Sequence, residues 1–441
     1  MSVERRGSVR TSLACAQLIT DQEEAVTKTK PFTIDKWQVV RAYELVKANA
    51  GAAGIDQQSI ADFDKNRKNN LYKLWNRLSS GSYCPAPVKA VAIPKKSGGE
   101  RILGIPSVSD RIAQMVVKMA FEPKVEPHFL PDSYGYRPGK SALDAIGITR
   151  KRCWSYNWVL EFDIKGLFDN TPHELVLKAV DKHQPSAWFR LYIQRWLTAP
   201  MVMPDGEVRA RTQGTPQGGV ISPLLANLFM HYVFEKWLQQ HYPNIPWCRY
   251  ADDGLVHCRS ESEAKHMLEV LRERFIACGL ELHPEKTKIV YCKDGSRKGN
   301  YEHTSFDFLG YTFRRRVVKN RKRNSLFVSF TPAVSKVALK AMRRKIKVLK
   351  VRSRTELNIA QLGGWLNPII NGWIGYYGRY NRSALYSLFR HINKTLIRWA
   401  RRKYKTLRRH KTRTLKFLEG IATKSPRLFA HWRAGMVGRF S

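Results

Sequence analysis

The apolar positions of the chain repeat with two different periods, which separate predicted helices from predicted strands. Apolar residues at 37, 40, 43 and 46 recur at helical spacing, so a helix is predicted from Trp37. The same spacing predicts further helices at about 71–78, 110–121, 142–151 and 261–277. Apolar or alternating runs predict strands at 88–93, 102–105, 158–164, 287–291 and 306–313. Up to about residue 315 the chain is therefore predicted to mix helices and strands.

The predicted strand at 158–164 carries acids on one face. Alternation places the apolar residues 160, 162 and 164 on one side and Glu161 and Asp163 on the other. The following residues, Thr171 to Glu174, have the pattern of a capping box with proline at the first helical position. Asp163 is therefore expected where a strand leads into a helix, although a single acid there acquires meaning only with a partner.

A second acidic element is the stretch 247–258, WCRYADDGLVHC. An Asp-Gly pair between apolar runs predicts a hairpin, because glycine adopts positive φ without steric cost. The sequence thus predicts Asp252 and Asp253 at the tip and Gly254 in the turn. Their mutual repulsion is unfavourable without a cation. Taken alone, an ordinary surface hairpin is the more frequent meaning of this pattern.

Two glycine pairs mark further turns. Gly98-Gly99 predicts a hairpin between the first two strands, with Lys95 and Arg101 on either side. These two cations could converge on one anion, and a solvated basic hairpin fits the pattern as well. Gly218-Gly219 permits close approach of the backbone to a ligand, and the helix predicted to start at Ser222-Pro223 follows it. The apolar stripe of that helix is assigned to the core and comprises Leu225, Leu228, Phe229 and Tyr232.

Charge dominates the composition of the 441-residue chain, which is long enough for two to four domains. Its 77 Lys and Arg against 36 Asp and Glu give a formal net charge of +41, which a polyanion must neutralise. Nucleic acid is the expected partner, since no membrane span and no dominant basic amphipathic helix is evident. The seven scattered cysteines form no C-x-x-C, which argues against a disulfide framework and a zinc finger. A reduced, cytoplasmic setting without export is expected.

The composition shifts past Arg314, and a domain boundary is predicted between about 315 and 335. The run RRRVVKNRKRN is expected to be a solvated loop, and helical, basic sequence follows from Ser335. A stripe at helical spacing is assigned chiefly to a bundle core: Trp365, Ile369, Trp373, Tyr376, Tyr377 and Tyr380. Arg379 and Arg382 make the rim of this stripe a candidate RNA contact. The stretch 401–416 contains no acid, and its candidate phosphate contacts are Arg401, Arg402, Lys403, Lys405, Arg408 and Arg409.

Together, Asp163 and Asp252 suggest a reaction. They could meet on neighbouring strands of one sheet, and carboxylate oxygens suit Mg²⁺, which takes one or two carboxylates plus substrate phosphates. Two such ions stabilise the attacking and the leaving oxygen of a phosphoryl displacement. On so basic a protein, this chemistry indicates nucleotidyl transfer.

Several motifs, in order, resemble those of group II intron-encoded reverse transcriptases. RYADDGLV resembles the Tyr-Ala-Asp-Asp signature of reverse transcriptases, LEFDIKGLFDN resembles their first catalytic motif, and GTPQGGVISPLLANLF resembles the motif between them. IPKKSGGERILGIPSVSDR and DSYGYRPGKSALDAI are similar to additional segments of the family, and LGGWLNPIINGWIGYYGRY resembles its maturase domain. The resemblance runs from about residue 40 to the end of the sequence.

The resemblance implies roles for single residues. Asp163, Asp252 and the carbonyl of Ile164 would ligate two Mg²⁺ ions, and Asp253 would complete the acidic cluster. The expected dNTP-binding residues are Lys95, Arg101, Ile164, Phe168 and Gln217. Of these, Lys95 and Arg101 would hold the triphosphate. Phe168 would exclude a ribose 2′-OH, and Gln217 would lie beneath the templating pair. The segment FLGY, 308–311, would support the primer.

The implied fold is α+β, a right-hand polymerase with fingers and an antiparallel palm sheet, followed by an all-α thumb. The expected division is an N-terminal arm at 1–35, fingers at 36–155, palm at 156–320, thumb or maturase domain at 321–400 and a basic DNA-binding segment at 401–441. The family's HNH nuclease is expected to be absent, because no cysteine follows Cys292. How the second DNA strand is then primed stays open.

The implied function is RNA-directed DNA synthesis combined with splicing of the parent intron and its insertion into DNA, known as retrohoming. The expected partners are group II intron RNA, target DNA and dNTPs, and the oligomeric state stays open. A splicing-only maturase and a reverse transcriptase of the retron or diversity-generating type are the alternatives. The three aspartates argue against the first, and the helical domain with its basic tail argues against the second. An RNA-dependent RNA polymerase is disfavoured by Phe168.

Overall fold

The computed structural model describes residues 30–94, 99–320 and 323–436. Its longer helices are α1 (Lys36–Asn49), α2 (Ile60–Lys65), α3 (Arg67–Ser80), α4 (Val108–Val125), α5 (Ala142–Ser155), α6 (Leu167–Asn170), α7 (His173–Asp181), α8 (Ala187–Thr198), α9 (Ser222–Met230), α10 (Lys236–His241), α11 (Glu261–Ala277), α12 (Lys336–Val348), α13 (Ile359–Tyr377), α14 (Tyr386–Lys403) and α15 (Lys411–Lys424). Its strands are β1 (Val88–Pro94), β2 (Glu100–Ile105), β3 (Trp158–Asp163), β4 (Met201–Val202), β5 (Val208–Arg209), β6 (Trp247–Tyr250), β7 (Asp253–Cys258), β8 (Lys288–Tyr291), β9 (Ser305–Phe308), β10 (Tyr311–Asn320) and β11 (Ser325–Val334).

The N-terminal helices start at capping side chains. A carboxylate oxygen of Asp35 accepts the amide of Trp37 at 3.0 Å, and Ser59 forms a capping box with Asp62. The predicted helix forms as α1, which packs on α4. Val39 and Ala42 are buried there, whereas Trp37 is 63% exposed. Trp37 points to solvent because it lies two positions before the buried Val39 and therefore on another side of the helix.

The palm is a four-stranded antiparallel sheet in the order β6-β7-β3-β8, so the expected α+β architecture is confirmed. Leu160, Phe162 and Ile164 point into the main core, as alternation predicted. Helices α9 and α11 belong to the same core, and a π-helical turn at His231–Glu235 joins α9 to α10. The hairpin β1–β2 extends through β1 into a second sheet, in the order β2-β1-β4-β5.

Two local predictions in the palm were wrong. Gly254 is not the turn residue, because Ala251 takes the left-handed conformation with φ of 58°. Gly254 instead lies in β7, where a Cβ atom would come within 2.0 Å of the Phe162 ring, so close packing requires glycine. The capping box at Thr171 does not form, because the hydroxyl of Thr171 donates to the carbonyl of Leu167 instead.

The basic run after residue 313 was predicted to be a loop and forms a β-ribbon instead. Strands β10 and β11 pair from Tyr311–Val334 to Asn320–Ser325, and β9 adds a third strand at the base of the ribbon. Phe313 and Phe330 are buried at this base against the palm. A two-stranded ribbon leaves its side chains solvated, so basic residues can occupy most of its positions. For this reason the sequence pattern did not predict a strand.

The C-terminal helices have a separate apolar core. It extends from Val334 to Trp432 and includes Leu407 and Leu418, so side chains beyond residue 400 belong to it. Residues 362, 366 and 370 form the buried face of α13. The assignment of the predicted aromatic stripe to this core is confirmed in part: the half-buried Trp365, Trp373 and Tyr377 pack against it, whereas Tyr376 and Tyr380 pack against the palm. Within the described residues, no helix is long and apolar enough to cross a bilayer.

Candidate active site

Three aspartates meet at one end of the palm sheet. Asp163 ends β3 and lies directly opposite Asp253, the first residue of β7, in the antiparallel register. The amide of Ile164 donates to the carbonyl of Asp252 at 3.3 Å, which fixes the turn beside the end of β3. The structure therefore brings Asp163 together with the adjacent pair Asp252 and Asp253, from which it is distant in the sequence.

Burial and the neighbouring negative charges raise the pKa values of Asp252 and Asp253. Burial raises the pKa of Asp252, and the negative charge of Asp163 adds to this, whereas Lys286 and Arg101 oppose it. The pKa of Asp253 is raised to about 7, first because protein displaces water around its carboxylate and then because of the other two aspartates. The carboxylates therefore destabilise one another in the absence of a cation.

Lys286 is a cation of this site that the sequence argument missed. Its ammonium group donates a hydrogen bond to a carboxylate oxygen of Asp163, and this bond raises the lysine pKa. Lys286 lies between α11 and β8, in the segment HPEKTK. Its position next to an edge strand of the palm sheet is the signal that could have indicated it.

Arg249 is a second residue that sequence reasoning missed. Its guanidinium is 1% exposed, bonds to Glu235 through Nε at 2.8 Å and donates to the carbonyl of Ala251 at 2.9 Å. It also contacts Asn227 at 3.1 Å and Ser133 at 2.8 Å. Burial alone would raise the pKa of Glu235, but the charge of Arg249 holds it below its usual value. An arginine inside an apolar strand, next to the acid pair, was the available signal.

Three of the residues expected at the dNTP are Arg101, Phe168 and Gln217, which lie in the described part of the chain. Phe168 is half-buried on the single turn of α6, and Arg101 on β2 is close enough to Asp252 to oppose its pKa shift. Gln217 donates to both carboxylate oxygens of Asp169 at 3.0 Å, and its carbonyl accepts the amide of Gly104 at 2.9 Å. Lys95 lies outside the described residues.

A cleft of about 680 Å³ adjoins these acids. The palm contributes Asp253 and the Leu309-Gly310 turn of the FLGY segment, and the helical region contributes Trp373 and Tyr377. The hydroxyl of Tyr376 donates to the carbonyl of Leu309 at 2.8 Å. The proposed primer-supporting segment therefore lies where the palm meets the helices.

The predicted basic contacts differ in their surroundings. Arg402, Lys405, Arg408 and Arg409 are exposed. Arg401 is partly buried and donates to the carbonyl of Arg408 at 3.2 Å. Lys403 is also partly buried and donates to the carbonyl of Thr355 at 2.8 Å. Arg379 is exposed and lines a pocket of about 520 Å³ together with Lys151.

The donor set at the acidic edge suits Mg²⁺. In the described ranges, no group of three or more His, Cys, Asp or Glu side chains forms a cage that could hold a metal ion by itself. Mg²⁺ does not need such a cage, because it takes one or two carboxylates and completes its coordination with water and substrate phosphates. The carboxylates of Asp163 and Asp252 and the carbonyl of Ile164 are hard oxygen donors of this kind. These residues therefore fit the ion.

Comparison with known proteins gives two family matches. Residues 93–313 match the family described as reverse transcriptase (RNA-dependent DNA polymerase). Residues 339–417 match the maturase-specific domain of group II introns. A structural comparison finds apo telomerase from Candida Tropicalis, with a TM-score of 0.41 and 13% identity over 52% of this chain and 53% of that one.

Three relatives illustrate the range of similarity. Protein YkfC of Escherichia coli is 32% identical over 63% of this chain and 79% of its own length. Group II intron-encoded protein LtrA of Lactococcus lactis is 32% identical over 45% of this chain and 33% of LtrA. The putative COX1/OXI3 intron 1 protein of Saccharomyces cerevisiae is 27% identical over 61% of this chain and 32% of its own length. These matches confirm the resemblance read from the motifs: the chain belongs to the reverse transcriptase family, and its residues 339–417 match a group II intron maturase-specific domain.

Proposed function

We propose that this chain is an Mg²⁺-dependent RNA-directed DNA polymerase that binds its parent intron RNA, assists splicing and copies the intron after insertion into DNA. The pairing of Asp163 with Asp253 beside the cleft between palm and helices is the observation that carries this proposal. This arrangement supports a metal-binding edge next to a groove for a nucleic-acid duplex.

The side chains around the edge have distinct tasks in this reaction. Asp163 and Asp252 hold two Mg²⁺ ions, which when bound stabilise the attacking and leaving oxygens. Arg101 and Lys95 bind the triphosphate of the incoming dNTP through their positive charge. Phe168 fills the space that a 2′-OH would need, and Gln217 supports the templating pair from below.

The positive charge of the remaining surface binds the nucleic acids. A formal net charge of +41 supports contacts with intron RNA and target DNA, and the exposed cations of the helical region are candidates for them. These contacts act at a distance from the acidic edge. Polymerisation and RNA binding should therefore respond to different substitutions.

The test separates these two activities in one preparation. Asp252→Asn keeps the shape of the side chain and removes its charge, so primer extension on an RNA template should fall by more than about 100-fold, because even residues that only orient metal ligands change activity 10- to 100-fold. Affinity for the intron RNA should stay within about twofold of wild type, since Asp252 is not a phosphate contact.

The matched control is Asp205→Asn in the exposed turn between β4 and β5, which should extend primers normally. Extension that survives Asp252→Asn contradicts the polymerase assignment. If the wild type promotes splicing of its intron but never extends a primer, the chain is a splicing-only maturase.

A further inference from the structure

The loop 133–137 has no role in the function proposed so far, although it touches the acidic turn. Its centre is Tyr136, which has φ of 59° and a side chain that is 52% exposed. A bulky aromatic residue rarely adopts this left-handed conformation, so the surroundings must impose it.

The backbone before Tyr136 is fixed to the catalytic turn. The amide of Tyr134 donates to the carbonyl of Arg249 at 2.9 Å, and Asn227 donates to the carbonyl of Gly135 at 2.6 Å. A Cβ atom on Gly135 would come within 2.5 Å of the amide nitrogen of Ala251, so the two backbones are in direct contact. The loop therefore cannot shift without moving the turn that carries Asp252.

The backbone after Tyr136 is held equally well. Arg137 donates to Glu126 at 3.0 Å and to the carbonyls of Leu130 and Ser133 at 2.6 and 2.8 Å. Its guanidinium also lies 5.1 Å from the centre of the Phe129 ring. With both neighbours anchored, the direction of the Tyr136 side chain is determined by the loop.

That direction leads to Phe168. The two rings lie with centroids 6.4 Å apart at an interplanar angle of 81°, an edge-to-face pair. The backbone of Phe168 is held by the amide of Thr215, which donates to its carbonyl at 2.6 Å, but its ring is half-exposed on a helix of one turn. The ring therefore needs a lateral support, and Tyr136 supplies one.

We propose that Tyr136 is a positioning residue for sugar selection, whose ring keeps the Phe168 ring where the 2′-OH of a ribonucleotide would fall. This inference rests on the proposed polymerase function and on Phe168 as its sugar gate. Because the loop that carries Tyr136 is bonded to the catalytic turn, Tyr136 keeps the Phe168 ring at a fixed position relative to the aspartates. Removing the ring should leave catalysis with dNTPs intact and weaken the exclusion of ribonucleotides.

The experiment compares kcat/KM for a dNTP and the matching rNTP on an RNA template. Tyr136→Ala should lower the preference for the dNTP by about three- to tenfold, the range that the energy of an aromatic pair implies. Tyr136→Gly should do the same without strain at positive φ, which guards against a folding defect in the alanine variant. Tyr136→Phe keeps the ring and should discriminate like wild type, with kcat for the dNTP within about twofold in all three.

A double-mutant cycle shows whether Tyr136 acts through Phe168. Phe168→Ala should lose more discrimination than Tyr136→Ala, and the double variant should lose no more than Phe168→Ala alone. Tyr72→Ala is the matched control, since Tyr72 is an exposed tyrosine that also has an aromatic neighbour, Trp75, but lies on α3. Its discrimination should equal that of wild type.

The outcomes separate this inference from the proposed function. A wild type that extends primers and rejects ribonucleotides, together with unchanged discrimination in both Tyr136→Ala and Tyr136→Gly, overturns the inference alone. Fully additive losses in the double variant overturn it as well, because Tyr136 would then act independently of the gate. A wild type that does not extend primers at all overturns the proposed function and the inference with it.

Discussion

The palm and the helical region use charge in opposite ways. In the palm, Arg249 and Glu235 are 1% and 0% exposed, and each has several hydrogen-bonding partners. In the helical region the buried core is largely apolar, and Arg402, Lys405 and Arg409 are exposed. We therefore expect the function of the palm to depend on where each charge lies, and that of the helical region to depend on how many charges it presents.

The reason for this difference is solvation. A buried charge is costly unless it is paired, so removing one partner has a large effect. An exposed charge is screened by salt within about 10 Å, so its interactions are individually weak and add up over many phosphates. Substitutions in the two regions should therefore differ in size and in salt dependence.

The largest effect is expected from Arg249→Met. The substitution leaves the buried Glu235 carboxylate without its guanidinium partner, with His231 still at 3.0 Å, and removes the bond that holds the carbonyl of Ala251. The free energy of unfolding should fall by about 3–5 kcal/mol, the usual cost of breaking a buried ion pair. Urea denaturation followed by circular dichroism measures it.

The exposed Arg409 provides the matched control for this substitution. Arg409→Met should change the free energy of unfolding by less than about 0.5 kcal/mol. The double variant Arg249→Met/Glu235→Gln removes both charges and should recover part of the loss. Equal stabilities of Arg249→Met and Arg409→Met would contradict the distinction between the two regions.

Local patterns in the sequence predicted the elements of the palm but not their assembly. Alternation identified the core face of β3 and the position of Asp163 at its end, because a strand has a fixed period of two. The register that places Asp163 opposite Asp253 depends on packing between distant segments, which no local pattern contains. The sequence predicted that glycine is needed at position 254 for a turn. The actual reason is close packing against Phe162, which belongs to another strand.

The helical region was less predictable because its helices have two partners. The aromatic stripe of α13 has helical spacing, which indicates a buried face but not what covers it. Tyr376 bonds to the FLGY turn and Tyr380 donates to the carbonyl of Leu143 at 3.0 Å, so part of this face covers the palm rather than the helical core. The basic ribbon was not predicted, because a strand that is solvated on both sides and rich in charged residues lacks the apolar pattern that identifies a strand.

A smaller effect is expected when exposed charges of the helical region are removed together. The variant in which Arg402, Lys405, Arg408 and Arg409 become glutamine should bind single-stranded RNA with a salt slope reduced by about 2 to 3, since each lost phosphate contact contributes about 0.7. Filter binding of the intron RNA between 50 and 300 mM KCl, about the range in which such slopes are measured, reports it.

The control removes the same number of charges from the back of the palm, where Lys178, Lys182, Lys265 and Arg272 are exposed on or just after α7 and on α11. That variant should keep the wild-type slope. Equal slopes for the wild type and the variant with four glutamines would mean that these residues of α14 and the segment after it are merely solvated. Thermal stability should be close to wild type in both variants, because exposed charges contribute little to it.

The smallest effect is expected from a single carboxylate of the palm, that of Asp253, which lines the cleft. Asp253 has a pKa raised to about 7 in the folded chain, against the ordinary value of 3.8. Between these two values the folded state binds more protons than the unfolded state, so the stability of the metal-free protein should fall as pH rises from about 4 to 7. The groups whose charges act on Asp253 are Asp163, Asp252, Glu161 and Lys286.

Asp253→Asn removes this contribution, so the variant should lose less stability than wild type over the same pH range and should be the more stable of the two at pH 8 in EDTA. The difference is modest, because the protein displaces only part of the water around the Asp253 carboxylate, and the solvent that still reaches the exposed residue screens its charge. Glu161, whose pKa is also raised to about 7, stays in both proteins, so the difference between their melting curves isolates Asp253. Adding Mg²⁺ should raise the melting temperature of the wild type more than that of the variant, since the cation relieves the repulsion that the variant already lacks. If the melting temperatures of the wild type and of Asp253→Asn change by the same amount from pH 5 to 8, the charge on Asp253 does not destabilise the folded protein. The acidic edge would then resemble the solvated charges of the helical region.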